Sequence, residues 1–474
     1  MLFSSLVFLF TFLPITLLVY YLVPRKVKNV VLLIASLIFY AWGEPVYIFL
    51  MLISILFNYF CGMDIALKAG RKSQVRSLIF TIVVNLFILG FFKYYGFIVT
   101  NLNAILPFYI PYRKLELPIG ISFYTFQTLS YIIDVYRGNV DVQVNLIDFG
   151  TYVTMFPQLI AGPIVQYADV ERQLRERKES LTKFGYGAWF FVIGLAKKVL
   201  LANTIGSIYE NIAAMDGMSV VTAWLGCLAY TFQIYFDFSG YSDMAVGLGK
   251  MFGFEFMQNF NYPYISKSVT EFWRRWHISL GSWFREYVYI PLGGNRKGFV
   301  KQCRNILIVF LLSGFWHGAS WNFVVWGLIH GIYMVGAICL SQIRKDKKRI
   351  LHPVAGWILT LLLVNIAWVF FRAPSLIGAW RILQQPFVNP LGSGIAETMS
   401  FLGIRGFAIL RLLTTGISWL ILERLPEEID KNCQTQKGFC MAAVIFVVMV
   451  TVIEFSWLGR MASGGENAFI YFRF

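Results

Sequence analysis

The stretch LLSGFWHGASWNFVVWGLIHG, Leu311 to Gly331, joins two apolar, aromatic segments across a short run of small residues. His317 stands in this stretch with no carboxylate within ten residues on either side, and the 474-residue chain holds only four histidines. Gly314 and the residues 318–320 leave space beside the ring and permit a broken backbone. An ionisable ring at membrane depth is a functional candidate by default, and a helix-to-helix hydrogen bond is the structural alternative.

The composition of the chain indicates an integral membrane protein. Hydrophobic residues make up 58% of it and charged residues only 14%, with a mean hydropathy of +0.63, whereas soluble domains are about one-quarter charged. The first 23 residues lack a positively charged start, which favours a transmembrane helix over a signal peptide. The net charge of +16 does not indicate nucleic-acid binding, because Lys and Arg cluster in short loops between apolar segments.

Apolar segments of spanning length recur along the chain and predict an all-α integral membrane protein. We expect about 11–12 transmembrane helices, both termini outside, and a re-entrant segment at 146–167. The longer predicted spans are 2–23, 77–99, 184–208, 219–240, 321–342, 353–371, 403–422 and 438–455, and the shorter or more polar ones are 29–42, 44–60, 117–136 and 304–319. The positive-inside rule places five Lys/Arg clusters in the cytoplasm: 25–28, 68–76, 171–178, 267–304 and 344–349.

The chain divides by composition into four parts of one polytopic domain, 1–474. Its parts are N-terminal spans over 1–114, a central core over 115–345, C-terminal spans over 346–437, and a final span with an aromatic tail over 438–474. The central core is rich in Gly, Pro and polar residues, and such backbone is tolerated in a membrane only where it is buried in protein or lines a cavity. A polar, partly hydrated tunnel is therefore expected there, and the lack of a visible internal repeat weighs against a transporter built from inverted repeats.

The remaining histidines differ in their surroundings. His277 lies in TEFWRRWHISLGSWFREYVYIPLGG, where a site and an interfacial amphipathic helix are about equally supported. His330 follows His317 by 13 residues and faces another side of a helix, so the two cannot share a metal and His330 is expected to be packed or hydrogen bonded. His352 adjoins a basic loop and is expected at the surface.

Several further motifs have a functional and a structural interpretation. The turn PLGGNRKG, 291–298, with Arg296 and Lys297, suits phosphate binding, although a plain cationic loop is favoured on sequence alone. Asp237 and Asp243 should pair with Lys or Arg at membrane depth or accept several hydrogen bonds, and a structural tie is favoured over proton chemistry. The six cysteines form no CxxC or CxH spacing, so no disulfide framework or zinc site is expected, and the chain carries no Walker A or GxGxxG motif. The tail SGGENAFIYFRF either anchors at the interface or offers the Tyr471 hydroxyl as an acyl acceptor.

Together these residues resemble the membrane-bound O-acyltransferase family, and within it the membrane subunits of bacterial alginate and exopolysaccharide O-acetylation. The matching segments are DFSGYSDMAVG, NFNYPYISKSVTEFWRRWHISLGSWFREYVYIPLGGNRKG and SGFWHGASWNFVVWGLIHG. The resemblance implies that His317 is the catalytic base of a tunnel through the membrane and that His277 is a second active-site residue. It makes 115–345 the catalytic core, and the residues expected to line its tunnel are Asp237, Ser239, Tyr241, Trp316 and Ser320.

The resemblance also implies the substrates and partners. The donor is expected to be acetyl-CoA or another acyl-carrier thioester, with its phosphates on Arg274, Arg275, Arg296 and Lys297, and no bound cofactor or metal is expected. Tyr471 would relay the acyl group to an SGNH-type acyltransferase outside a bacterial inner membrane, which acylates an exported polysaccharide. D-alanyl transfer to teichoic acid is the alternative within the family, and a non-catalytic transporter is the alternative outside it.

Overall fold

The computed structural model describes residues 1–113, 115–214, 219–343 and 352–388, and within these ranges all regular structure is helical. Seven helical segments there are long and apolar enough to cross a membrane: Arg25–Gly43, Ile48–Leu67, Arg71–Asn103, Leu181–Ala213, Phe299–His317, Trp321–Ile343 and Pro353–Arg372. The protein is therefore an all-α, multi-pass membrane protein, as predicted. The predicted spans 403–422 and 438–455 lie outside the described residues, so the number of 11–12 stays a prediction.

Seventeen α-helices occur in the described ranges, with short π-helical turns at Phe8–Phe12, Lys197–Ala202 and Arg285–Tyr289 and 3-10 turns at Arg25–Val27 and Pro263–Ile265. In chain order they are α1 (Leu13–Leu22), α2 (Lys28–Gly43), α3 (Ile48–Leu67), α4 (Arg71–Asn103), α5 (Ile121–Arg137), α6 (Leu146–Thr154), α7 (Phe156–Leu159), α8 (Tyr167–Glu176), α9 (Leu181–Ala196), α10 (Asn203–Ala213), α11 (Val220–Met251), α12 (Val269–Arg275), α13 (Ile278–Phe284), α14 (Phe299–His317), α15 (Trp321–Ile343), α16 (Pro353–Arg372) and α17 (Leu376–Val388).

The N-terminal helices agree with the predicted orientation. Arg25 and Lys28, between α1 and α2, lie beside the α8–α9 connection, where Lys28 Nζ is 3.2 Å from a Glu179 carboxylate oxygen. Arg25 donates a hydrogen bond of 3.3 Å to the carbonyl of Leu174. The Lys/Arg clusters 25–28 and 171–178 therefore lie at the same end of the helices, which is what the positive-inside rule requires if that end is cytoplasmic.

The predicted re-entrant segment 146–167 does not form a spanning helix. Its first part is α6, which begins where the Asn145 side chain accepts hydrogen bonds from the backbone N–H groups of Ile147 and Asp148. At 1.5 Å per residue, the nine residues of α6 rise only about 14 Å, about half of the hydrocarbon thickness. Residues 149–165 are all buried, so this segment is packed inside the protein.

The helices α9 and α11 cross at close range. A Cβ atom built on Gly194 of α9 would collide with the backbone carbonyl of Gly240 on α11, and one on Gly187 would collide with that of Gly247. Small residues at such crossings let two backbones approach, as is common in membrane helix pairs. α14 and α15 meet in the same way at Gly314, and this second contact fixes the helix end on which His317 lies.

Candidate active site

His317 is the last residue of α14, and the backbone is extended at the next residue, Gly318. The side chain is buried, and three aromatic rings surround it. The ring centroids of Trp316, Trp326 and Phe371 lie 5.0, 5.0 and 5.2 Å from the centroid of the imidazole. A Cβ atom at Gly318 would collide with the ring of Phe323, so the small residue after His317 lets the α14–α15 turn close tightly.

His277 lies between α12 and α13, and its backbone is in the left-handed region with φ of 46°. Residues other than glycine rarely adopt this conformation. The backbone is held there by a hydrogen bond of 2.9 Å from the N–H of Ile278 to the carbonyl of Asn259. Strained backbone conformations of this kind persist where the surrounding structure determines them, and they cluster at active sites. The observed strain at His277 therefore supports the functional interpretation over an ordinary interfacial helix.

The Asn259 side chain determines how the His277 ring is protonated. Asn259 Oδ1 accepts a hydrogen bond of 3.1 Å from the backbone N–H of Ser279, which identifies that atom as the oxygen. His277 Nδ1 lies 3.1 Å from the same oxygen, so Nδ1 must carry the hydrogen. In the neutral ring the lone pair then lies on Nε2, and this nitrogen can take up a proton.

Trp316 brings the two predicted catalytic histidines into one cluster. Its ring centroid is 5.0 Å from that of His317 and 6.0 Å from that of His277. His330 has a different environment, because the indole nitrogen of Trp273 donates a hydrogen bond of 3.2 Å to its Nδ1. The prediction that His330 is packed or hydrogen bonded is confirmed, and both hold.

A cavity of about 100 Å³ opens beside His317. Its walls include Trp316, Ser122, Lys93 and the turn from Leu117 to Ile121. A second cavity of about 210 Å³, which reaches Met1, Tyr40 and Glu44, shares the wall residues Ile119 and Ile160 with the first, so the two are adjacent. By the predicted orientation, the second cavity lies on the extracytoplasmic side.

Sequence reasoning missed two residues of this region, Lys93 and Asn259. Lys93 lies about two-thirds of the way along α4, inside the predicted span 77–99. Its Nζ donates to the backbone carbonyl of Trp316 and, at 3.3 Å, to Ser122 Oγ. A single lysine inside an apolar span is itself a signal of function. Asn259 gave no such signal, because an asparagine between two helices is ordinary.

The two predicted intramembrane carboxylates each pair with a lysine, as expected. Asp237 lies 2.5 Å from Lys198 Nζ and Asp243 lies 2.7 Å from Lys197 Nζ, and both lysines belong to the π-helical turn that follows α9. Pairing compensates the charges that α9 and α11 would otherwise bury singly. These ion pairs tie the two helices together.

The residues predicted to line the tunnel are distributed over several places. Trp316 lines the cavity of His317. Tyr241 stacks on Phe3 at a centroid distance of 4.6 Å, and Ser320 Oγ accepts a hydrogen bond of 3.2 Å from the backbone N–H of Asn322. Ser239 is buried, and its hydroxyl has no hydrogen-bond partner among the described residues. Except for Trp316, the lining role of these residues and of Asp237 stays a prediction.

The residues predicted to bind donor phosphates differ in exposure and in ion pairing. Arg274, Arg296 and Lys297 are exposed, whereas Arg275 forms an ion pair of 3.0 Å with Glu271. Phosphate binding by these four residues stays a prediction. Tyr471 and the final span 438–455 lie outside the described residues, as does the basic cluster 344–349.

The chain matches known proteins over most of its length. Residues 34–373 match the MBOAT, membrane-bound O-acyltransferase family. A probable alginate O-acetylase of Pseudomonas putida is 44% identical over 499 aligned positions, which cover 100% of both chains. A peptidoglycan O-acetyltransferase of Helicobacter pylori is 36% identical over 81% of this chain and 79% of its own. A teichoic acid D-alanyltransferase of Bacillus subtilis is 30% identical over 53% of this chain and 66% of its own.

Proposed function

Since the chain belongs to the membrane-bound O-acyltransferase family, we propose that this O-acyltransferase moves acetyl groups from a cytoplasmic thioester through the membrane for O-acetylation of an exported polysaccharide such as alginate. The observation that carries the proposal is the full-length 44% identity to a probable alginate O-acetylase. The similarity to a peptidoglycan O-acetyltransferase supports acetyl as the transferred group, although the name of that relative gives a different acceptor polymer.

His317 is the catalytic base in this proposal. A hydroxyl oxygen attacks the thioester carbonyl carbon while the imidazole takes the hydroxyl proton, the C–S bond breaks, and the thiolate leaves with that proton. Positioning of the two reactants and proton transfer together lower the barrier. His277 is the second active-site residue, and the hydrogen bond of its Nδ1 to Asn259 supports a role for Nε2 toward the substrate.

Acetyl-CoA is the proposed donor, with its phosphates on Arg274, Arg275, Arg296 and Lys297 and with no bound cofactor. The exposure of Arg274, Arg296 and Lys297 supports this assignment, because a phosphate can approach them from solvent. Arg275 could contribute only after Glu271 released it.

Tyr471 is the proposed acyl relay, from which an extracytoplasmic SGNH-type acyltransferase takes the group and passes it to the polysaccharide. The tail FIYFRF supports the relay by its resemblance to acyl-relay endings, and the membrane is then a bacterial inner membrane. The D-alanyl alternative has weaker support, because its named relative matches only 53% of this chain.

The test replaces His317 by Ala in the producing cell and measures the ester-linked acetyl content of the exported polysaccharide. We expect acetylation to be abolished while the protein stays in the membrane. His352→Ala is the matched control, because His352 is exposed at the start of α16. Unchanged acetyl content in the His317 variant would overturn the enzyme assignment, and loss of D-alanyl esters instead would favour the alternative.

The relay is tested in the same cells by Tyr471→Phe, which removes one oxygen and keeps the ring. We expect acetylation to fall as far as in the His317 variant. Acetylation at the normal rate would contradict the relay and leave the tail as an interfacial anchor.

A further inference from the structure

Lys93 reaches from α4 to the end of α14 and lies beside the predicted base. Its Nζ donates to the carbonyl of Trp316, the residue before His317, and it lines the same cavity of about 100 Å³ as His317. Within the described part of the chain, no carboxylate forms an ion pair with Lys93, in contrast to Lys197 and Lys198. A lysine without a carboxylate partner at membrane depth is costly and indicates a function.

The walls of this cavity supply hydrogen-bond donors that lack acceptors. A protonated lysine has three N–H groups, and the carbonyl of Trp316 and the hydroxyl of Ser122 account for two of those of Lys93. The indole nitrogen of Trp316 is buried with no hydrogen-bond partner among the described residues. Buried donors are normally satisfied, so a cavity with spare donors is suited to an oxygen atom of a substrate.

We propose that Lys93 is a further catalytic residue, whose nitrogen donates to the acyl carbonyl oxygen as that oxygen becomes negative. The assignment rests on the proposed function. When the hydroxyl oxygen bonds to the carbonyl carbon, the π electrons of the C=O bond move to its oxygen, and His317 holds the hydroxyl proton. The charge returns to re-form the C=O bond as the C–S bond breaks. Lys93 gains and loses no proton in this sequence, and it stabilises the oxyanion.

A purely structural role for Lys93 is the competing explanation. The last carbonyls of a helix lack partners within the helix, and Lys93 and its neighbour Tyr94 both satisfy such groups at the end of α14. Tyr94 donates a hydrogen bond of 2.5 Å to the carbonyl of Phe315. Tyr94 does not line the cavity of His317, so it provides a control with the capping contact and without the cavity position.

The experiment measures the release of CoA thiol from acetyl-CoA by membranes of the producing cell, which supply the full chain together with its acceptor, as a function of acetyl-CoA concentration. Lys93→Met keeps the length of the side chain and removes its donors, and we expect kcat to fall about 100-fold with little change in KM, as for the loss of one oxyanion donor. Lys93→Arg restores donors, and we expect it to retain more activity than Lys93→Met. Tyr94→Phe should stay within about threefold of the wild type, since it removes one neutral hydrogen bond.

The outcomes separate the two assignments. Equal and small losses in Lys93→Met and Tyr94→Phe would show that Lys93 only caps α14, and would overturn the proposal while leaving His317 as the base. A wild type that releases no more thiol than its His317→Ala variant would overturn the proposed function, and the Lys93 assignment with it. The amount of folded protein is followed for each variant by its elution as a single detergent-solubilised species, and a loss of kcat per folded molecule is the supporting result.

Discussion

At the scale of single residues, the orientation of His277 depends on Asn259. One side-chain oxygen of Asn259 accepts from the backbone N–H and the hydroxyl of Ser279 and from His277 Nδ1. Asn259→Ala removes this acceptor and leaves buried donors unsatisfied. The free energy of unfolding should fall by about 1–3 kcal/mol for this reason. We expect the rate of acetyl transfer to fall about tenfold or more, because His277 is then no longer held in one orientation and misplacement of an active-site group can cost about 100-fold in rate.

The control for this prediction is Asn261→Ala. Asn261 is exposed, and its contact with Arg275 uses the backbone carbonyl, which the substitution keeps. Both variants are assayed for thiol release from acetyl-CoA. Full activity of Asn259→Ala would mean that His277 needs no orientation by this residue.

The residues of the site differ in how far they could be predicted. His317 could be found because a lone imidazole in an apolar segment is conspicuous, and the pairing of Asp237 and Asp243 with lysines follows from the cost of a buried charge. The sequence did not identify their partners, which depend on the register of α9 against α11. Lys93 and Trp316 are 223 residues apart, so their contact is set by helix packing that no local pattern encodes.

At the scale of helices, the crossing of α9 and α11 depends on Gly194. Its two nearest neighbours across the contact are backbone atoms of Gly240 and Met244, which cannot rotate away from an added methyl group. Gly194→Ala should therefore force the helices apart and destabilise the protein by about 1–3 kcal/mol, as overpacking does. We expect a lower melting temperature for the detergent-solubilised protein.

Gly185 on the same helix is the matched control for this crossing. A Cβ atom there would have no neighbour within 4 Å, so Gly185→Ala should leave the melting temperature unchanged or raise it, because alanine favours the helix. If Gly194→Ala were as stable as Gly185→Ala, the close approach of α9 and α11 would not contribute to stability. The apolar pattern of both helices was readable from the sequence, whereas the pairing of their glycines requires the packed structure.

At the scale of the whole molecule, the Glu179 carboxylate joins the N-terminal helices to the core. It accepts a hydrogen bond of 2.7 Å from the Tyr20 hydroxyl of α1 and lies 3.2 Å from Lys28 Nζ at the start of α2. Arg177, which is buried, donates to the same Tyr20 hydroxyl and to the carbonyl of Phe252 at the end of α11. The cluster therefore connects α1, α2, the α8–α9 connection and α11.

This cluster makes stability depend on pH. Burial opposes ionisation of Glu179, but hydrogen bonds from the Tyr20 hydroxyl and from the backbone N–H of Glu179, together with Lys28, outweigh it and hold the pKa of Glu179 below its usual value. A lowered native pKa contributes stability above the unfolded-state pKa of about 4.3, and that contribution is lost as the pH falls through the native pKa. Glu179→Gln should therefore melt at a lower temperature than the wild type near neutral pH, and the difference should shrink below about pH 4.

Thermal unfolding of the detergent-solubilised protein across this pH range checks the prediction. Glu176→Gln is the control, because Glu176 pairs with Arg172 at the surface, with side chains 64% and 89% exposed, and exposed pairs contribute about 0–1 kcal/mol. A Glu179→Gln protein that melted like the Glu176 variant at every pH would show that the N-terminal helices are held by apolar packing alone. A gap that widened on acidification would contradict the sign of the pKa shift, because protonation removes the charge that the wild type has and glutamine lacks.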